Sequence, residues 1–115
     1  MKTAIACAVL LVAIAPGAAL AQPETPATIH DVHCLLMAVA LAGSTDPDAK
    51  AAGLSDTMYF GGKIFGAEPN IDLPAVAKVE AAKLDDQALA TLHEQCGAEI
   101  RAYSDKLQAV GAAMP

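Results

Sequence analysis

The stretch TIHDVHCLLMAVALAG, residues 28–43, decides the fold class of this chain. Thr28 and Asp31 are spaced as in a capping box, and Gly43 is a residue type favoured just after a helix C-terminus. Apart from one histidine, residues 32–42 are apolar on every side, so this helix must be buried or covered by a partner. The run is too short to span a bilayer. The stretch therefore predicts a helix at the centre of the core.

Capping residues and apolar spacing predict two further helices in the middle of the chain. Asp46 before Pro47 marks the start of a second helix, and Asp72 marks the start of a short third one. The predicted inward positions are Ala51, Leu54, Met58, Gly62 and Phe65 in the second helix, and Leu73, Val76, Val79 and Leu84 in the third.

The fourth predicted helix carries the clearest pattern in the chain. It begins at Asp85 or Asp86 and reaches about residue 110. Its apolar stripe consists of Leu89, Leu92, Cys96, Ile100, Tyr103, Leu107 and Val110. No segment alternates with a period of two, and alanine is abundant. We therefore predict an all-α fold, a single four-helix domain over residues 28–112 after a flexible lead-in at residues 22–27.

The N-terminal residues 1–21 have the pattern of a cleaved signal peptide. Lys2 is followed by an apolar run over residues 4–14, and Ala19-Leu20-Ala21 forms a small-x-small cleavage site before Gln22. The run is shorter than a membrane-spanning helix requires. The pattern predicts export, with a periplasmic or secreted mature protein that is not an integral membrane protein.

Composition limits the kinds of partner that the chain can have. The 115 residues include 7 Lys and Arg against 13 Asp and Glu, a formal net charge of −6. Cleavage after residue 21 removes Lys2 and no acid, which makes the net charge −7. A nucleic-acid-binding protein needs a basic face to neutralise phosphates, so we predict no nucleic-acid partner. Solubility is the simplest explanation of the acidic balance.

Two cysteines remain after removal of the segment that holds Cys7. Cys34 lies in the first predicted helix and Cys96 in the apolar stripe of the fourth. An even pair in an exported protein predicts a disulfide, here one that joins the first helix to the last. Closing a loop of about 60 residues contributes roughly 4 kcal/mol in the chain-entropy account.

Metal binding is the alternative role for the same cysteines. His30 precedes Cys34 by one helical turn, and His93 precedes Cys96 by about one turn, so the four residues could form a tetrahedral site. An oxidising compartment competes for the thiolates, and the spacing matches no standard zinc module. We predict that no cofactor is needed and keep the four-residue metal site as an alternative.

The segment YFGGKIFG, residues 59–66, holds three of the four aromatic residues of the chain. Two adjacent glycines inside a helix cost roughly 2 kcal/mol relative to alanines. The simplest interpretation is a close approach of two helices, or a kink that places the aromatic rings in the core. The alternative is a ligand or partner groove lined by Tyr59, Phe60 and Phe65.

Catalytic motifs are absent from the sequence. The pairs Ser55-Asp56 and Ser104-Asp105 have no nucleophile motif around them, and neighbouring side chains on a helix point in different directions. We therefore predict no catalytic residue and no enzymatic activity.

Three short motifs carry a resemblance to known proteins. With Asp31-x-x-Cys34-Leu35, Tyr59-Phe60-x-Gly62-Lys63 and Cys96-Gly97, the chain resembles a group of small exported helical proteins of alphaproteobacteria. This resemblance implies export but no particular activity. In size, helical class and cysteine number the chain is also similar to small periplasmic acid-stress chaperones, a similarity that implies a Cys34–Cys96 bridge.

These observations together predict an exported helical domain that acts through protein–protein contact, as an envelope accessory or stress protein. A metal-binding or small-ligand-binding protein is one alternative, and an acid-stress chaperone is another. Below about pH 3 the net charge changes sign because the carboxylates are protonated. Charge repulsion would then loosen the domain and expose its apolar first helix, and a chaperone would use that surface to hold unfolding proteins.

Overall fold

The computed structural model describes residues 24–115, which form four helices. These are α1 (Pro26–Ala42), α2 (Pro47–Ala67), α3 (Leu73–Ala81) and α4 (Asp86–Ala112). No strand occurs within residues 24–115, so the predicted all-α, four-helix architecture is confirmed. The predicted signal peptide, Cys7 and the first two residues of the lead-in lie outside the described residues.

The start of α1 differs from the prediction. Thr25, not Thr28, is the N-cap, and its side chain accepts a hydrogen bond from the backbone N–H of Thr28. Pro26 explains the earlier start, because its fixed φ suits the first helical position and keeps the preceding residue extended. The predicted lead-in therefore ends before Pro26. The Thr28 hydroxyl instead donates to Glu68 Oε1 at 2.6 Å.

The other three helices begin where their capping residues predict. Asp46, Asp72 and Asp85 each accept a hydrogen bond from a backbone N–H three residues further along the chain. These bonds satisfy donors that have no partner inside the helix.

Helix α1 is the centre of the molecule and contacts each of the other helices. Its buried apolar residues are Val32, Cys34, Leu35 and Ala38. The expected burial on every side holds only for this part of the helix, because Val39 and Leu41 near its C-terminus are exposed.

The predicted inward face of α2 is wrong. Leu54, Met58 and Phe65 are 52%, 79% and 50% exposed. The buried residues are Gly53, Phe60 and Ile64. The reason is a close crossing of α1, since a Cβ atom on Gly53 would lie 2.3 Å from the backbone nitrogen of Ala42. Helix α2 therefore faces α1 with Gly53, and the core is filled by Phe60 and Ile64 on the same face of the helix.

Helices α3 and α4 follow their predicted faces in part. Leu73 and Val76 pack against the core, whereas Val79 is exposed. Leu84 also packs against the core, but it follows the end of α3 at Ala81 and is not part of the helix as predicted. In α4 the apolar stripe is covered only in its middle, because Leu89 at its start is exposed. Leu92 and Cys96 are buried and Ile100 packs beside them, while Tyr103, Leu107 and Val110 are exposed.

Candidate functional site

A disulfide between Cys34 and Cys96 joins α1 to α4, as predicted. The two Cα atoms are 5.6 Å apart, and both residues are buried. Because the bond fixes which faces of the two helices meet, polar residues one turn away from either cysteine are brought together.

A cluster of five polar side chains lies one helical turn from the disulfide. The members of this Lys63 cluster are His30 and Asp31 of α1, Tyr59 and Lys63 of α2, and Glu99 of α4. The Lys63 ammonium donates to Asp31 Oδ1 at 2.6 Å and also to Glu99 Oε1. The Tyr59 hydroxyl donates to the same Glu99 oxygen at 3.0 Å. His30 Nε2 lies 3.4 Å from the other oxygen, Glu99 Oε2. The cluster thus connects three helices.

Hydrogen bonding holds Lys63 and Glu99 of the cluster in their charged forms. Partial burial alone would lower the pKa of Lys63, but its hydrogen bonds to Asp31 and Glu99 raise that pKa above its ordinary value. Partial burial alone would raise the pKa of Glu99, but hydrogen bonds from Lys63 and Tyr59 lower it. Burial and the bond to Glu99 raise the pKa of Tyr59. Each of these shifts moves the pKa further from pH 7, whereas general acid–base catalysis needs pKa values near the working pH. The cluster is therefore suited to binding helices together.

The three aromatic residues predicted to line a common groove lie in different surroundings. Phe60 is buried, and Phe65 is exposed. Tyr59 is partly buried, with its ring centroid 4.9 Å from that of Phe60 and 4.5 Å from that of Tyr103. Of the three predicted residues, only Phe60 lines an apolar groove between α1, α2 and α4.

The adjacent glycines of α2 do not mediate a close helix approach. A Cβ atom on Gly61 or Gly62 would meet nothing within 4 Å, so the close crossing predicted there is instead made by Gly53. Gly61 and Gly62 are part of a continuous helix.

Three of the four residues of the metal alternative come together. The candidate ligand atoms of His30, Cys34 and Cys96 lie within 4.8 Å of one another, with His30 Nε2 at 3.5 Å from Cys34 Sγ. The fourth predicted ligand, His93, is not part of this group and lines the apolar groove between α1, α2 and α4. In the oxidised protein the two sulfur atoms are bonded to each other and offer no thiolate ligand.

An apolar groove of about 680 Å³ lies between α1, α2 and α4. Its wall includes Met37 and Leu41 of α1, Asp56 and Phe60 of α2, and Leu89 and Cys96 of α4. Leu41 and Leu89 are exposed, which leaves an apolar rim. The groove has the size of a ligand-binding cleft.

Asp56 is the one carboxylate in the wall of the apolar groove. Its side chain forms no salt bridge with any residue of the described chain. Partial burial raises its pKa above the ordinary value, because the apolar surroundings disfavour the charged form. A cation brought into the groove would relieve this penalty.

A second charged group joins α3 to α1 on another part of the molecule. Glu80 is buried, and its carboxylate lies 2.9 Å from His33 Nε2 and 2.5 Å from Lys83 Nζ. The hydrogen bond from Lys83 has the largest effect on the pKa of Glu80, and together with the bond to His33 it lowers that pKa despite the burial of the carboxylate.

Sequence reasoning missed the Lys63 cluster and Asp56. The predicted disulfide was itself a signal for part of the cluster, because His30 and Asp31 precede Cys34 by one turn and Glu99 follows Cys96 by one turn. Any bridge between the two cysteines therefore brings these residues together. Nothing in the sequence places Asp56 in the wall of the apolar groove, since that position depends on the rotation of α2.

Comparison with known proteins adds no family to this description. No protein-family model matches the chain, and no curated protein or solved structure matches it.

Proposed function

We propose that this chain is an exported helical binding protein whose apolar groove holds a basic, amphipathic segment of a partner protein. Within that class, an envelope accessory or stress protein agrees best with its size and composition. The observation that supports the proposal most directly is the Asp56 carboxylate in the wall of the apolar groove, which forms no salt bridge within residues 24–115.

Export is supported by the disulfide, because such bonds persist in oxidising compartments. No helix of the described residues is long and apolar enough to cross a membrane. N-terminal sequencing of the protein recovered from the periplasm or medium tests the proposal, and we expect Gln22 as the first residue. A protein that starts at Met1 would contradict cleavage.

A protein segment suits the apolar groove for two reasons. First, the exposed rim residues Leu41 and Leu89 extend the apolar surface outside the groove, as helix-in-groove recognition requires. Second, a lysine or arginine between apolar side chains would pair with Asp56, while the net charge of −6 attracts basic partners.

The test uses two fluorescent helical peptides with the same leucine pattern, one with lysine and the other with glutamine on its polar face. We expect the lysine peptide to bind more tightly. Asp56→Asn should weaken its binding about tenfold, which corresponds to about 1.4 kcal/mol. Asp105→Asn is the matched control, because it removes the same charge from an exposed site on α4.

A second pair of variants tests the position of the binding site. Leu41→Gln changes the groove rim, whereas Val39→Gln changes an exposed apolar residue of the same helix outside the groove wall. We expect only the Leu41 variant to lose binding. Equal binding of the two peptides, or equal effects of the two variants, would overturn the proposal.

A further inference from the structure

Reduction of the disulfide would create a metal site beside the Lys63 cluster. We propose that the reduced chain binds one Zn²⁺ through the thiolates of Cys34 and Cys96, the imidazole of His30 and the carboxylate of Glu99. This inference does not depend on the proposed groove function, because His30 and Glu99 do not line the apolar groove.

The ligand atoms of His30, Cys34 and Cys96 already lie within 4.8 Å of one another. Glu99 lies beside His30 but outside this group, so its carboxylate completes a tetrahedral site by moving toward the sulfur atoms. With Zn–S near 2.3 Å and Zn–N and Zn–O near 2.1 Å, neighbouring ligands are about 3.6 Å apart for sulfur and nitrogen and about 3.4 Å apart for nitrogen and oxygen. Cys34 Sγ and His30 Nε2 are 3.5 Å apart, and His30 Nε2 and Glu99 Oε2 are 3.4 Å apart. Once reduced, the two sulfur atoms need to separate to about 3.8 Å.

The Lys63 cluster orients the carboxylate for this role. Lys63 and Tyr59 both hold Glu99 Oε1, which leaves Oε2 on the side of His30. Outer hydrogen bonds of this kind fix metal-binding carboxylates in most protein sites. His30, Asp31 and Glu99 form a second group of possible metal ligands. In the oxidised chain the Lys63 ammonium already pairs with both carboxylates of that group.

The chemistry of the ligand set selects the metal. Thiolate, imidazole and carboxylate groups are all ligands of zinc, and thiolates favour it over magnesium or calcium. The apolar groove opens to the surface beside Cys34 and Cys96, which gives a small reductant and the ion a path to the sulfur atoms.

The redox step balances with a dithiol as reductant. The dithiol gives two electrons and two protons, the Cys34–Cys96 bond breaks, and the dithiol closes to its own disulfide. Zinc then displaces the two thiol protons. Exchange with an oxidised dithiol partner returns two electrons to that partner, re-forms the bond between the cysteines and releases the zinc.

The experiment compares oxidised protein with protein reduced by a phosphine, each mixed with one equivalent of Co²⁺ as a spectroscopic probe. With cobalt present, we expect only the reduced protein, and not the oxidised one, to show thiolate-to-metal charge transfer and the strong visible bands of tetrahedral cobalt. Zn²⁺ should displace the cobalt, and elemental analysis should find one zinc per chain. Reduced protein without these bands would overturn the proposal.

Variants identify the ligands. His30→Ala and Glu99→Gln should each weaken zinc binding by at least about tenfold. His93→Ala is the matched control, since it removes a histidine near Cys96 that is not part of the group. Its affinity should stay unchanged. Loss of binding in this variant, or unchanged binding in the other two, would contradict the assigned ligands.

If reduction unfolds the chain, zinc binding can still be tested through the helical signal in circular dichroism. Zinc binding then becomes part of the folding free energy, so one equivalent of Zn²⁺ should restore the helical signal of the reduced wild type. The reduced Glu99→Gln variant should need more zinc for the same recovery. A helical signal that zinc does not restore would overturn the proposal.

Discussion

Helices α2 and α4 both pack on α1, but they are attached in different ways. Helix α2 lies against α1 at Gly53, where the two backbones approach too closely for any side chain. Helix α4 is held to α1 by the Cys34–Cys96 bond, with Leu92 packed nearby. One attachment depends on a missing side chain, and the other depends on a covalent bond. The two contacts should therefore respond to different substitutions.

The two halves of α4 also differ from each other, in how much of their apolar surface the core covers. From Leu92 to Ile100 the apolar stripe packs against the core, and Cys96 lies in this part. From Arg101 to the end of the chain every residue is exposed. Apart from Tyr103, whose ring packs against Tyr59, the second half therefore adds helix without adding much buried apolar surface.

Loss of the disulfide is expected to have the largest effect on stability. The double variant Cys34→Ala/Cys96→Ala removes a bond across 62 positions of sequence without leaving a free thiol. We expect the free energy of unfolding to fall by about 4 kcal/mol, because the unfolded chain regains the entropy of the open loop. Urea denaturation followed by circular dichroism measures the change. A decrease below about 1 kcal/mol would show that α4 is held mainly by its non-covalent contacts.

Two glycines of α2 provide the next test, and they should change stability in opposite directions. At Gly53 an alanine Cβ would lie within 3 Å of backbone atoms of Leu41 and Ala42, so Gly53→Ala should destabilise the protein by about 1–3 kcal/mol. At Gly62 nothing lies within 4 Å, so Gly62→Ala should stabilise it by up to about 1 kcal/mol. Thermal unfolding of both variants measures the two signs. Equal effects would mean that Gly53 does not mediate the close contact.

Local sequence signals predicted much of this architecture. Asp46, Asp72 and Asp85 mark helix starts because capping depends only on the residues within one turn. The pairing of Cys34 with Cys96 followed from parity and compartment.

The rotation of α2 could not be predicted in the same way. Its sequence offers one face through Leu54 and Met58 and another through Gly53 and Phe60, and both have helical spacing. The choice depends on how closely α1 approaches, which is a property of the two helices together. The same limitation hid Asp56, because its neighbours belong to other helices.

The attachment of α3 to α1 adds a third kind of contact and a pH dependence. Glu80 bonds to His33 and Lys83, and these bonds lower its pKa in the folded state. A lowered carboxylate pKa stabilises the folded state above the ordinary pKa of glutamate, about 4.3, and this stabilisation is lost as the pH falls through the lower folded value. We expect Glu80→Gln to cost about 1 kcal/mol at pH 6 and much less below pH 3.

Urea titrations at several pH values measure this effect. The wild type and Glu80→Gln should differ most above pH 5, and their curves should converge in acid. Glu94→Gln is the control, since Glu94 is exposed on α4. A gap between wild type and Glu80→Gln that stays constant with pH would contradict an ionic contribution from this contact.

The smallest effect is expected in the exposed second half of α4. Leu107 and Val110 are 52% and 60% exposed, so Leu107→Ser/Val110→Ser should change the free energy of unfolding by less than about 1 kcal/mol. Leu92→Ala in the buried half should cost about 2–5 kcal/mol, although it belongs to the same stripe. Urea denaturation at two protein concentrations measures both. If the double variant loses much more stability than expected, and only at high concentration, a second copy of the chain covers this surface, because self-association makes apparent stability depend on concentration. If its stability is unchanged at both concentrations, the periodicity of the stripe predicts a face of the helix without predicting a partner for it.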